Sequence, residues 1–202
     1  MKILLVRHGE TAWNRVNRLQ GQLDSPVTER GRAQIAALVG ALGDEKIEQI
    51  ISSPSGRAVA AARQLADHFS CPTRLDARLN ERGFGVLEGK IYAQLNPDEQ
   101  RLFDRIYSAD PDVTPRHGES LTAAASRTLA ALLAIGASAE RCVCVVSHGH
   151  VIQAVISCLN HAGPERFQHY AHPNGSYSIL DYAEGKLSLV KWGIATHLLK
   201  QR

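Results

Sequence analysis

Apolar positions divide the chain into short continuous runs and longer periodic stretches. Ile3, Leu4, Leu5 and Val6 form a run of strand length, of the kind buried on both faces of a sheet, and Gly9 ends it. Residues 13–27 are polar and irregular, with Gly21, Asp24, Ser25 and Pro26 marking a loop. A helix is then predicted with Thr28 as N-cap, Ile35, Leu38, Val39 and Leu42 in register and Gly43 as its stop; Gly31 in its first turn is a weak point. A second strand covers 47–53, and Pro54 opens a helix with Ala58, Ala62, Leu65, Ala66 and Phe69 on one face. Residues 73–76 read as a short third strand, and 98–107 as a helix through Leu102, Phe103, Ile106 and Tyr107. Ser120 caps a helix that runs through Leu121, Ala125, Leu129, Leu132 and Ile135 to Gly136. The second strongly apolar run, 142–146, leads into a helix with Val151, Ile152, Val155, Ile156 and Leu159. Two further strands, 177–182 and 186–192, are joined as a hairpin by Ala183-Glu184-Gly185.

Strands alternating with helices predict an α/β fold: a three-layer α/β/α sandwich with a mostly parallel central sheet, one antiparallel edge strand from the hairpin, and a small insertion subregion. The length of 202 residues suits one domain, 1–202, in which 90–118 is an insertion-like cap subregion.

Composition adds little to this picture and removes several classes of function. The chain is 44% hydrophobic and 21% charged, as in ordinary globular proteins. A formal net charge of +3 favours small anionic ligands, and with only 5% aromatics and no dense Lys/Arg run it does not suggest a nucleic-acid surface. Cys71, Cys142, Cys144 and Cys158 show neither zinc spacing nor a Cys-x-x-Cys motif, so they read as reduced, small apolar residues. Arg7 and His8 come too early for a signal peptide and no segment is long enough to span a bilayer, so a cytoplasmic protein is expected. Monomer and homodimer both stay open.

The candidate chemistry lies where strands end. Both apolar runs deliver a histidine followed by glycine, His8-Gly9 and His148-Gly149, at the carboxyl end of a strand, where open α/β sheets hold their ligands. Arg7 adjoins the first histidine, and Arg57 falls in the first turn after the second strand, on the same edge of the sheet. Either histidine alone would read as structural, and Arg127 does read so. Together the four groups offer an imidazole nucleophile and forked guanidinium donors that match phosphate oxygens. Nearby arginines should keep His8 neutral, while a bound phosphate could let His148 hold its proton. Departure of an alcohol needs an acid, and the glycine-rich loop 79–89 supplies Glu81, with Glu88 as second choice.

The segments LVRHGETAWN, RLQGQLDSPVTERG, SSPSGRAVAAA, LNERGFGVLEG, HGES and VVSHGH, in that order, resemble the histidine phosphatase (phosphoglycerate mutase-like) superfamily over nearly the whole chain. The resemblance implies a phosphohistidine mechanism with no metal and no cofactor. His8 matches the nucleophile; Arg7, Arg57 and His148 match the groups around the phosphoryl; Glu81 matches the proton donor that later activates water. Asn14 matches a side-chain donor to the phosphate, and Gln20 and Gly21 match positions bordering the substrate; with Gly149 they form the expected binding set. The expected partner is a small phosphorylated metabolite, with no nucleic acid and no membrane.

Ala61 stands where the family usually has threonine, and Leu87 where a large residue is common before Glu88-Gly89. Gly83-Phe84 replaces the His-Tyr pair that follows Glu-Arg in true cofactor-dependent mutases, and 90–117 is short for a mutase insertion. Both features favour a phosphomonoesterase over a phosphoglycerate mutase, which is the alternative. A metal-binding protein is the non-enzyme alternative, from His148-Gly149-His150 and His169-Tyr170-Ala171-His172. Arg15, Arg18, Tyr92, Arg101, Arg105, Arg116 and His117 are candidates for the outer pocket.

Overall fold

The computed structural model describes residues 1–108 and 110–201. Its sheet has six strands: β1 (Lys2–Arg7), β2 (Gln49–Ser52), β3 (Thr73–Leu75), β4 (Cys142–Ser147), β5 (Tyr177–Ala183) and β6 (Lys186–Ile194). They lie in the order β3-β2-β4-β1-β5-β6. β1 to β4 pair in parallel, and β5 pairs antiparallel with both β1 and β6. The expected hairpin is therefore present, but its first strand lies inside the sheet and its second forms the edge.

Among the described residues six α-helices accompany the sheet: α1 (Ala12–Arg15), α2 (Glu29–Ala41), α3 (Gly56–Phe69), α4 (Pro97–Ile106), α5 (Leu121–Gly136) and α6 (Gly149–Leu159). Successive side chains of β1 point to opposite faces, and both faces are dry. Ile3 and Leu5 pack with Leu132 and Ile135 of α5 and Ile152, Val155 and Ile156 of α6. Leu4 and Val6 pack with Ile35 and Leu38 of α2 and Ala58, Ala62 and Leu65 of α3. The result is three layers. Cys142 and Cys144 fall in the second cluster, and all four cysteines are free thiols.

Local chemistry sets the element ends. Thr28 and Ser120 accept from the N–H groups of Gly31 and Ala123, as N-caps should. The loop expected over 13–27 holds one turn of helix, α1, because a capping box between Thr11 and Asn14 closes it. Gly31, the apparent weak point of α2, is needed for packing. A Cβ on it would lie 2.1 Å from the Glu10 carbonyl oxygen, and one on Gly9 would lie 2.3 Å from the Gly31 carbonyl oxygen. Two glycines thus let the turn after β1 meet the start of α2.

The segment 90–118, apart from Ala109, which lies outside the described residues, carries α4. Leu95, Ile106 and Val113 form a separate small core with Phe84 and Leu87, beyond the carboxyl ends of the strands. No helix among the described residues is long and apolar enough to cross a membrane.

Candidate active site

Because β4 lies between β1 and β2, the three carboxyl ends are adjacent, with Arg7 paired to Ser147 and Ser52 to Val146. The residues just past those ends, His8, His148 and the start of α3, therefore converge on one edge. A cavity of about 530 Å³ opens there, and its walls include Arg7, His8, Arg57 and Glu81. Asn14, Gln20, Gly21 and Gly149 line it as well. His148 is fully buried beside the cavity, its ring 5.1 Å from that of His8. Glu88, the second choice of acid, is spent elsewhere: its Oε1 accepts from the backbone N–H of Gln22 at 3.0 Å and of Phe84 at 2.9 Å.

His8 has a defined tautomer. Its Nδ1 lies 2.8 Å from the Gly9 carbonyl oxygen, which can only accept, so Nδ1 carries the proton and Nε2 the lone pair. Burial, more than the charges of Arg57 and Arg7, pushes the ring well below the usual histidine range and keeps it neutral. Burial of the ring inside the fold is the first of these causes, ahead of either arginine. His148 is likewise pushed well down, first by burial and then by Arg57.

The guanidinium groups are anchored and incompletely used. Arg57 donates from Nη1 to the Leu23 carbonyl and to Asp24 Oδ1, and from Nη2 to the Gly21 carbonyl. Arg7 donates from Nη1 to the His172 carbonyl. A Cβ at Gly149 would lie 3.1 Å from Arg7 Cζ, so glycine there makes room for the guanidinium. Arg7 Nε, Arg57 Nε and His148 Nδ1 are buried without a hydrogen-bond partner. Buried polar atoms of this kind are rare in folded proteins, and Arg82 Nη1, His150 Nδ1 and His172 Nε2 share the property.

The amides are oriented in the same way. Asn14 Oδ1 accepts from Thr11 and from Asn174 Nδ2, and Gln20 Oε1 accepts from the hydroxyls of Thr11 and Ser25. Their oxygens being engaged, the Asn14 and Gln20 amide nitrogens remain as donors for the cavity. Glu81 accepts at Oε1 from the N–H groups of Arg82 and Val151, and at Oε2 from that of His150. Oε2 therefore keeps a lone pair for a proton. Arg127 is structural, as read: it donates to the carbonyls of Arg78, Asn80 and Glu81 and holds the loop that carries the carboxylate.

Of the seven candidates for the outer pocket, only Arg18 lines the cavity. Arg101 pairs with Asp98, Arg105 with Asp110, and Arg116 donates to its neighbour His117. Tyr92 is 46% exposed and packs edge-on against Phe103. Sequence reasoning missed Asn17, Leu19, Phe84, Phe103, Tyr107, His150, Gln153 and Asn174 as cavity residues. Asn174 is set beside His8 by the pairing of β5 with β1, where Gly175 donates to the Arg7 and His8 carbonyls. Neither that register nor the placement of the aromatic residues was available from the sequence.

The histidine pairs assemble no metal site. His148 Nε2 faces Ser53 Oγ at 2.8 Å, whereas His150 packs among Phe84, Tyr107 and Phe167. Among the described residues no group of three or more His, Cys, Asp or Glu could hold an ion.

Residues 3–195 match the model of the histidine phosphatase superfamily, branch 1. The chain is 33% identical over 197 residues to the probable phosphoglycerate mutase GpmB of Yersinia pestis (strain Pestoides F), covering 96% of this chain and 91% of that one. Among solved structures it is similar to Bacillus stearothermophilus YhfR, with a TM-score of 0.92, 28% identity and 98% of each chain covered. It is also similar to a mycobacterial glucosyl-3-phosphoglycerate phosphatase, with a TM-score of 0.82, 29% identity, and 95% of this chain and 98% of that chain covered. With a match this long and a fold shared end to end, the chain belongs to the histidine phosphatase superfamily, branch 1, and is an enzyme of that class.

Proposed function

We propose that the protein is a phosphomonoesterase that hydrolyses a small phosphorylated metabolite through a phosphohistidine on His8. The observation that carries this reading is the set of buried, unpartnered nitrogens on Arg7, Arg57 and His148 around a histidine whose Nε2 holds a free lone pair. A phosphoryl group brings three equatorial oxygens with distributed negative charge, and fixed donors that need no reorganisation stabilise it in the transition state. Asn14 and Gln20 add amide donors, and Gly149 and Gly21 leave room for the Arg7 guanidinium and the Glu88 carboxylate beside the cavity.

In the first step Nε2 attacks phosphorus, the bond to the ester oxygen breaks, and Glu81 gives its proton to that oxygen. Ionised Glu81 then takes a proton from water, whose oxygen attacks the phosphohistidine and releases inorganic phosphate with His8 restored. Nothing in this cycle requires a cofactor.

Similarity to a probable phosphoglycerate mutase favours a second reading, in which the phosphoryl group returns to another hydroxyl before water arrives. Both readings share the phosphoenzyme. Trapping phosphate on His8 tests that step, and release of inorganic phosphate, against interconversion of phosphoglycerates, separates the two.

A further inference from the structure

The cavity changes character beyond Glu81. Its outer wall is built by Leu19 and Phe84 together with Phe103 and Tyr107, which lie four residues apart at the end of α4 and face the same way. Phe103 stacks on Tyr107 at 4.6 Å, and the His150 ring meets Phe84 at 5.0 Å and Tyr107 at 5.1 Å, both edge-on. These contacts make the wall one aromatic surface. Gln153, one turn along α6 from His150, brings an amide with no hydrogen bond to another described residue, and Asn17 and the Tyr107 hydroxyl add uncharged polar groups to the lining.

Cations are scarce there. Among the described residues lining the cavity, Arg7 and Arg57 belong to the phosphate end, which leaves Arg18. Its guanidinium donates to the Gly89 carbonyl at 2.9 Å and lies over the Trp13 ring at 5.4 Å. Arg82 lies behind the wall, fully buried, 5.9 Å from the centre of the Phe84 ring, and donates to the Val113 and Glu119 carbonyls; it does not line the cavity. A substrate with a second anionic group would exchange water for an aromatic wall and one engaged cation, at a cost in desolvation. An apolar or aromatic group would instead leave water for a matching surface.

We infer that the outer half of the cavity is a subsite for an uncharged, apolar or aromatic alcohol moiety, and that Phe84, Phe103 and Tyr107 determine specificity by receiving it. The substrate class is then monoesters of such alcohols rather than phosphoglycerates. This inference rests on the phosphomonoesterase reading.

The test compares kcat/KM for 2-phenylethyl phosphate, glycerol 3-phosphate and 3-phosphoglycerate, alkyl esters whose leaving groups are of similar basicity, so that differences report the pocket. The arylalkyl ester should lead by at least about tenfold. Phe103→Ala should shrink that lead and Phe103→Leu should keep part of it. Equal constants, or a lead for the carboxylate-bearing ester, would overturn the inference and leave the phosphatase reading standing. Failure of all three esters would instead count against the phosphatase reading. In that event binding decides the subsite: 2-phenylethylphosphonate should bind at least about tenfold more tightly than methylphosphonate, and equal affinities would overturn it.

Discussion

With its Nδ1 proton held by the Gly9 carbonyl, His8 presents Nε2 to the cavity in the neutral form that attack requires. Burial, Arg57 and Arg7 all lower its pKa. Protonation that disables the nucleophile is therefore postponed to acid pH, and the acid limb of kcat/KM should lie below pH 6.5. Correction is needed for the ester's own second ionisation near pH ~6. A limb at or above 6.5 that persists after correction would count against His8 as the group that must be neutral. Arg57→Gln, by removing the second cause, should move the limb upward. Glu81 makes a separate prediction. Glu81→Gln keeps the shape and loses the transferable proton, so kcat/KM, which ends at departure of the alcohol, should fall by about 10²-fold or more for alkyl phosphates and much less for aryl phosphates with good leaving groups. Equal slowing of both would assign the proton to another group.

At the scale of elements, the site depends on how closely the turn after β1 approaches α2. Gly9 and Gly31 meet backbone to backbone, where a methyl group has no room. Gly31→Ala should destabilise the protein by about 1–3 kcal/mol, despite alanine's better helix propensity, because overpacking outweighs it. Urea unfolding checks this, and an unchanged or raised midpoint would show that the approach is slack. The same scale separates what was legible in the sequence from what was not. β1 and β4 were legible as unbroken apolar runs because both of their faces are buried. Thr28 and Ser120 announced their helices by capping chemistry that acts within three residues. The turn of α1 escaped because its capping box runs through Asn14, outside the usual Glu or Gln signal.

For the molecule as a whole, the sheet order β3-β2-β4-β1-β5-β6 brings His8, Arg57 and His148 together from three parts of the sequence. Those residues were legible because each follows a strand end or opens a helix. The outer wall was not. Phe103 and Tyr107 read from periodicity as the apolar face of a helix, and they do pack on the small core of 90–118; that the other side of the same rings lines a cavity depends on tertiary placement. The charged residues of that region were the natural candidates, yet Arg101 and Arg105 found partners on their own segment and stayed outside.

The central claim is a phosphoryl group held on His8 before water removes it, and acid-labile phosphohistidine can be trapped directly. Protein mixed with an excess of a hydrolysed monoester and quenched in alkaline denaturant within milliseconds should carry phosphate in an amount approaching one per chain. Peptide mapping should place it on His8, and His8→Ala should carry none. Turnover of the same ester with no phosphate on His8 at any quench time, or with the label unchanged in His8→Ala, would contradict the account.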